Sequence, residues 1–229
     1  MGIYREPIPV LWDTGSALLA IEGYLCSTCD NKYKYNYLAE TGLSFTRKTN
    51  GDSTMNYGSV DTTGFYATDT VCLTNSSTTC TKNFNIYIMS TQSGMPSNVA
   101  AISGLATDSL GNGPNLIKSM KASGVITNSY FCFYLEGMAT TSYLDIGIVD
   151  NTAMKDSKNL NMIPILANNY WWSANVEGIR FGTSEADAWA LDATMGILDS
   201  GTSCLSVPNQ YYDWVLTQLR SKGLNYQRD

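Results

Sequence analysis

The chain has no histidine. That absence removes the Ser/His/Asp and Cys/His arrangements of covalent hydrolases, and every metal site built on imidazole. Charge is scarce as well. Only 15% of residues are charged, and 14 Lys+Arg against 20 Asp+Glu leave a net charge of −6. Nothing so poor in basic residues attracts nucleic acid or an anionic membrane electrostatically, so no nucleic-acid partner is expected. No apolar run reaches the roughly 18 residues that a spanning helix needs, so no membrane span is expected either. The opening stretch, Met1 to Val10, lacks the apolar core of a signal peptide.

What is present favours β structure. The 229 residues are 44% apolar, enough for one large or two modest domains; Tyr leads the aromatics at 15, and Thr, Ser and Asn are plentiful among the polar residues. Six cysteines occur. Cys26-Ser27-Thr28-Cys29 has metal or redox spacing, but a single CxxC with no other ligand nearby makes a poor zinc site, and no metal is expected. Cys72 and Cys80 bracket a polar loop that contains Asn75-Ser76-Ser77, a candidate glycosylation acceptor at Asn75. The plainest reading is two short disulfide loops, 26–29 and 72–80, in an oxidising compartment; reduced cytosolic thiols are the alternative. Cys132 and Cys204 have no evident partner.

One short pattern occurs twice. Leu11-Trp12-Asp13-Thr14-Gly15-Ser16 and Ile197-Leu198-Asp199-Ser200-Gly201-Thr202 each join two apolar residues to Asp, a hydroxyl residue, Gly and another hydroxyl residue. The apolar pair ends a buried strand, the Gly permits a tight turn, and the hydroxyls can orient a carboxylate. One Asp-[Ser/Thr]-Gly arises by chance in roughly one chain in ten of this length. Two with matching flanks are harder to dismiss, though two unrelated surface turns remain the plainer alternative. Two facing aspartates share a proton, so one can activate a water while the other polarises a carbonyl. That is amide hydrolysis without a cofactor.

Along the chain, residues 3–12 read as an edge strand with Pro7 and Pro9, running into the first Asp turn. The segment 55–71 reads as a hairpin with a polar tip around 59–63. Strands are expected at 84–89, 130–135, 142–149, 162–166, 170–176 and 179–182. Helical spacing marks 115–122 and 211–219. The polar stretch 155–160 reads as a link between halves.

On this β-rich background the chain resembles the pepsin-like aspartic proteases over nearly its whole length. Besides the two Asp turns, Cys26 falls where that family's first disulfide loop would begin. Tyr57-Gly58-Ser59 looks like the start of its flap, and Ile102-Ser103-Gly104-Leu105 resembles the apolar-apolar-Gly segment beside the first Asp. Leu160-Asn161-Met162-Ile163-Pro164 and Tyr170-Trp171-Trp172 look like strands crossing into a second lobe. The resemblance implies an all-β, bilobal fold with a few short helices, divided at 1–158 and 159–229, the second lobe incomplete. It implies a catalytic dyad of Asp13 and Asp199. Ser16 and Thr202 would bond the outer carboxylate oxygens, Thr14 and Ser200 would grip across the lobes, and Gly15 and Gly201 would bring the backbones close. Tyr57, Gly58, Ser59 and Ser203 would contact a peptide or protein substrate. No cofactor is implied, the full-length protein would be a monomer, and an acidic secreted, lysosomal or vacuolar setting would suit it.

Three positions depart from the pattern. Ala20 stands where the family has a Trp whose indole bonds the flap Tyr, Ser103 replaces an apolar residue, and the flap tip carries Val60-Asp61. The functional expectation is an acid-acting endopeptidase. The alternative is a catalytically silent binding or inhibitor protein on the same fold, or an inactive fragment. The internal repeat also predicts incompleteness. A long stretch follows Asp13 before residue 158, whereas few residues follow Asp199, and the imbalance reverses before each Asp. Strands without their partners would leave apolar faces exposed.

Overall fold

The computed structural model describes residues 1–30, 32–107, 114–136, 142–150, 161–167, 170–183, 188–192 and 195–224. The first strand, β1 (Val10–Asp13), is shorter than the 3–12 expected, because Pro7 and Pro9 have no N–H to donate to a ladder. It is an edge strand, as its prolines suggest. Then come β2 (Leu19–Glu22), β3 (Thr46–Arg47), β4 (Ser53–Tyr57), β5 (Val60–Cys72), β6 (Cys80–Ser93) and β7 (Ala101–Gly104). All seven form one sheet in the order β1-β7-β2-β6-β5-β3, with β4 pairing β5. The β1–β7 and β2–β6 pairs are parallel, the rest antiparallel.

Alternation of side chains places the two faces in different surroundings. Leu19, Ile21, Phe65, Ala67, Ile86 and Ile88 point to the main core. Helix α1 (Leu116–Ala122) closes that core with Leu116 and Met120. Its cap explains its position. The Asn115 side chain accepts from the Lys118 amide at 2.9 Å while its own Nδ2 donates to the Ala106 carbonyl at 2.7 Å, fixing the helix to the end of β7. The opposite face carries Ala20, Tyr87 and Met89, with Met55, Tyr57, Tyr66 and Met95 packed over them.

The β4–β5 hairpin turns at Gly58-Ser59, not around 59–63. Tyr57 pairs directly with Val60, and Gly58 takes the positive φ of +66° that a two-residue hairpin turn needs. Both short disulfides are present, Cys26–Cys29 and Cys72–Cys80, the latter tying the ends of β5 and β6. Asn75 is exposed in the loop they enclose. Cys132, half-buried, and Cys204, exposed, are free.

Beyond the large sheet, β8 (Phe131–Tyr134) pairs with β9 (Tyr143–Ile146). Further on, β10 (Ser173–Asn175) pairs with β13 (Met195–Ile197), and β11 (Gly178–Arg180) with β12 (Ala188–Ala190). The segment 162–166 is not a strand. Pro164 interrupts it, Met162 is 85% exposed, and its tie to β10 is the Leu166 amide on the Ser173 carbonyl. Helix α2 (Asn209–Ser221) buries Tyr211 and Val215, and its Trp214 meets Phe181 and Trp189 edge to face or tilted. The fold is thus mainly β, with two α-helices among the described residues. The 158/159 boundary and the 155–160 link lie outside the described residues.

Candidate active site

The first Asp turn is embedded in the large sheet. Asp13 ends β1 opposite Gly104 of β7, and its carbonyl accepts from the Leu105 amide at 2.7 Å. Glycine is required at 104. A Cβ there would stand 2.5 Å from the Ser16 carbonyl oxygen and from the Leu18 nitrogen, both backbone atoms that cannot yield. The turn after Asp13 is closed by the Gly15 amide, which donates to Asp13 Oδ1 at 2.9 Å. Asp13 and Thr14 are both buried.

The second turn repeats this geometry. The Gly201 amide donates to Asp199 Oδ1 at 2.8 Å, and the Thr202 hydroxyl to Asp199 Oδ2 at 2.5 Å. The counterpart hydroxyl behaves differently. Ser16 Oγ is buried beside Asp13, near enough to favour its ionised form, yet makes no hydrogen bond of ordinary geometry. Residues 200–203 are exposed, as are Ile197 and Leu198 before them.

Four hydrogen bonds join the two turns. The Thr14 amide donates to Ser200 Oγ at 3.0 Å, and the Ser200 amide to Thr14 Oγ1 at 2.8 Å. The Thr14 hydroxyl donates to the Leu198 carbonyl and the Ser200 hydroxyl to the Trp12 carbonyl, each at 2.7 Å. The arrangement is reciprocal, each hydroxyl accepting from the other turn's amide and donating to its preceding carbonyl. It brings the carboxyls together, so that a Cβ on Gly15 would lie 2.6 Å from the Asp199 carboxyl oxygens, and one on Gly201 would collide with Asp13.

The paired carboxyls ionise differently. Burial pushes Asp13 above the usual carboxylate range, and the neighbouring Asp199 pushes the same way, against the Ser16 hydroxyl and the Gly15 amide. Asp199 is held below that range. Its smaller burial penalty is outweighed by the Thr202 hydroxyl and the Gly201 amide, with the Asp13 carboxyl adding to them. Two carboxyls this close titrate as a coupled pair, with burial favouring the neutral form at Asp13 and hydrogen bonds favouring the ionised form at Asp199.

A cleft of about 830 Å³ lies over the pair, lined by Asp13 and Asp199 below, Tyr57, Gly58 and Ser59 above, and Ser203 to one side. Tyr57 is half-buried, and burial raises the pKa of its hydroxyl. With Ala20 beneath, that hydroxyl points to the Met55 sulfur at 4.0 Å, which the Tyr66 hydroxyl also approaches, at 3.9 Å. Tyr87, beside Ala20, donates instead to the Ser53 carbonyl at 2.5 Å.

Sequence reasoning did not single out the two tryptophans as anchors. The Trp171 indole donates to the Gly15 carbonyl at 3.1 Å and the Trp172 indole to the Leu105 carbonyl at 2.7 Å, fastening the segment beyond residue 170 to the first turn. The sequence offers them as part of a crossing strand, and the further signal is that an indole N–H can only donate. Glu22, Gln92 and Met55 were also missed. No group of three or more Cys, Asp or Glu placed to hold a metal occurs among the described residues.

These features place the chain in a class. The profile of the eukaryotic aspartyl protease family matches residues 2–228, and the chain belongs to that family. Among curated relatives it is similar to gastricsin of Suncus murinus, 28% identical over 88% of this chain and 52% of that protein. It is also similar to gastricsin of Oryctolagus cuniculus, at 29% over 92% and 54%. Pepsin B of Canis lupus familiaris is 28% identical over 89% and 52%. The chain spans about half the length of these relatives.

Proposed function

We propose that this chain carries the dyad of an acid-acting aspartic endopeptidase, with Asp13 and Asp199 as the reacting carboxyls. The observation that carries this reading is geometric: four reciprocal hydrogen bonds hold the two Asp turns together and bring their carboxyls face to face at the floor of a cleft. Asp199, ionised, takes a proton from a water between the carboxyls, and the water oxygen attacks the scissile carbonyl carbon. Asp13, protonated, gives its proton to the carbonyl oxygen, so the tetrahedral gem-diol forms without a free oxyanion. Asp199 then gives the proton it took to the amide nitrogen as the C–N bond breaks, and Asp13 takes a proton back from a gem-diol hydroxyl, leaving a carboxylic acid and an amine. An extended peptide suits the cleft, whose walls include Leu11, Ile102, Met55 and Pro96. Thr14, Gly15, Ser200 and Gly201 hold the pair, Thr202 and Ser16 bias the outer oxygens, and Tyr57 to Ser59 and Ser203 meet the substrate. The two disulfides favour an oxidising compartment, secreted or lysosomal/vacuolar.

A second reading, a silent binding protein or inactive fragment, has its own support in the exposure of the second turn, where Leu198 is 68% and Leu205 74% exposed. Titration with a statine-type transition-state mimic, alongside hydrolysis of a peptide with apolar residues flanking the bond, separates the two. Stoichiometric binding with turnover that falls by several orders of magnitude in Asp13→Asn and Asp199→Asn supports the enzyme. Turnover unchanged in either folded variant refutes the dyad; tight binding with no turnover at any acidic pH supports the silent protein.

A further inference from the structure

Glu22 occupies an uncommon place for a carboxylate. It is 1% exposed, at the end of β2, two residues after Ala20 and therefore on the same face, the one beneath the hairpin that covers the cleft. Its Oε1 accepts from Gln92 Nε2 at 3.1 Å, and its Oε2 has no hydrogen-bond partner. The same Gln92 side chain accepts, through Oε1, from the Met95 amide at 3.2 Å. Met95 packs on the Ala20–Met89 cluster, and its neighbours Gly94 and Pro96 line the cleft. A chain of two hydrogen bonds thus runs from a buried carboxyl to the wall of the candidate active site.

Among the described residues no cation forms an ion pair with this carboxyl. The charged groups near enough to act on it are Lys34 and Asp30, both from the loop after β2, and they act in opposite senses. Lys34 spends a hydrogen bond on the Cys26 carbonyl, at 3.1 Å. On β6 it pairs with Met89 and accepts from Gln92, and on the β7 side its amide donates to the Ala100 carbonyl at 2.8 Å; none of these neighbours is charged. Burial accordingly disfavours the ionised form, with the Gln92 amide and Lys34 opposing it only in part.

We propose that Glu22 is a proton-dependent positioning residue: while neutral it fixes the Gly94–Pro96 wall through Gln92, and on ionisation it releases that wall. The physical reason lies in Oε2. A negative charge would strengthen the bond from Gln92 to Oε1, but Oε2 would carry charge in a site without donor or solvent, which is costly. Water reaches it most easily by displacement of Gln92 at the end of β6, next to the exposed residues Gly94 and Pro96 to Asn98. The cleft wall is therefore in place in acid and loosened towards neutrality, independently of the Asp13–Asp199 pair.

The test is amide exchange of Met95 in the full chain, measured from about pH 4 to about pH 7 and corrected for intrinsic exchange. If opening ionises one carboxyl, Met95 protection falls about tenfold per pH unit once opening is coupled to that ionisation. E22Q, which keeps the acceptor without the charge, should hold its protection flat across the range. Q92M, which severs the relay, should start with low protection and show no pH dependence. Wild-type protection that stays constant or rises towards neutrality overturns the proposal, and so does an E22Q profile that falls like the wild type. The exchange readout does not depend on catalysis, so it stands or falls apart from the proposed protease activity. Where turnover is measurable, KM rather than kcat should carry the Glu22-dependent pH effect.

Discussion

Replacing Thr14 by Val tests what the reciprocal bonds between the two turns contribute. Valine keeps the shape of threonine in a buried position and deletes one hydroxyl. That hydroxyl makes two bonds, donating to the Leu198 carbonyl at 2.7 Å and accepting from the Ser200 amide at 2.8 Å. At about 0.5–1.5 kcal/mol net per bond, the loss is about 1–3 kcal/mol. Leu198 and Ser200 are exposed, so water can satisfy the groups left behind, which moves the expectation to about 1–2 kcal/mol. For a chain of this size that corresponds to a fall in Tm of about 2–8 °C. Thermal melting at acidic pH measures it, and an independent titration of the aspartates reports whether their opposed ionisation survives. Ser200→Ala should cost at least as much, because it removes the acceptor of the Thr14 amide in the less exposed half of the ring. If T14V melts within about 0.5 kcal/mol of wild type and both aspartates titrate as before, the ring does not hold the pair, and the argument fails.

Other consequences are as direct. Gly201→Ala places a methyl group against the Asp13 carboxyl and 3.2 Å from Asp199 Oδ1. A displacement of that order should lower turnover about a hundredfold with little change in folding, and unchanged turnover would sink the assigned geometry. Stability should depend on pH through Asp69, which is wholly buried, accepts from the Tyr35 hydroxyl and the Thr70 amide, and is raised chiefly by burial. Because its folded pKa lies above its unfolded one, its contribution is complete at pH below the unfolded value and is lost as pH rises through the folded value. Asp69→Asn should flatten the loss of Tm from acid to neutral pH; a steeper loss contradicts this. Removing the Cys72–Cys80 bridge with a pair of serines frees a short loop and should cost about 2–3 kcal/mol, read from denaturant midpoints under non-reducing conditions.

How much of this was legible in the sequence depended on the range of the interactions. The repeated Asp turns, the capped helix after Asn115 and the two short disulfides are written in neighbouring residues, and the disulfides and helix appear in the structure where expected. Hairpin ends were misplaced where one glycine outweighs several polar residues. Gly58 alone can take the positive φ, so the tip closes before the Ser/Thr/Asp stretch that looked like a loop. The segment 162–166 has strand composition but, with Pro164 inside it, too few donors for a ladder. Glu22 and the indole contacts were out of reach, since their meaning comes from Gln92, Gly15 and Leu105, brought beside them only by the fold.

The unequal setting of the two Asp turns has one more consequence. Two like carboxyls on a two-fold frame would offer a lone proton two tautomers of equal energy. Here sequence does not lift that degeneracy, for both turns read apolar-apolar-Asp-hydroxyl-Gly-hydroxyl. Environment does. Asp13 is buried at the end of a strand of the large sheet, while Asp199 is half-buried and carries a direct bond from the Thr202 hydroxyl. Each pKa unit between them is worth about 1.4 kcal/mol of bias towards one tautomer. In the proposed dyad, burial is what separates the two carboxyls, and the second turn is the less buried of the two. Covering the second turn would therefore add burial to Asp199 and push its carboxyl upwards, narrowing the difference between the two.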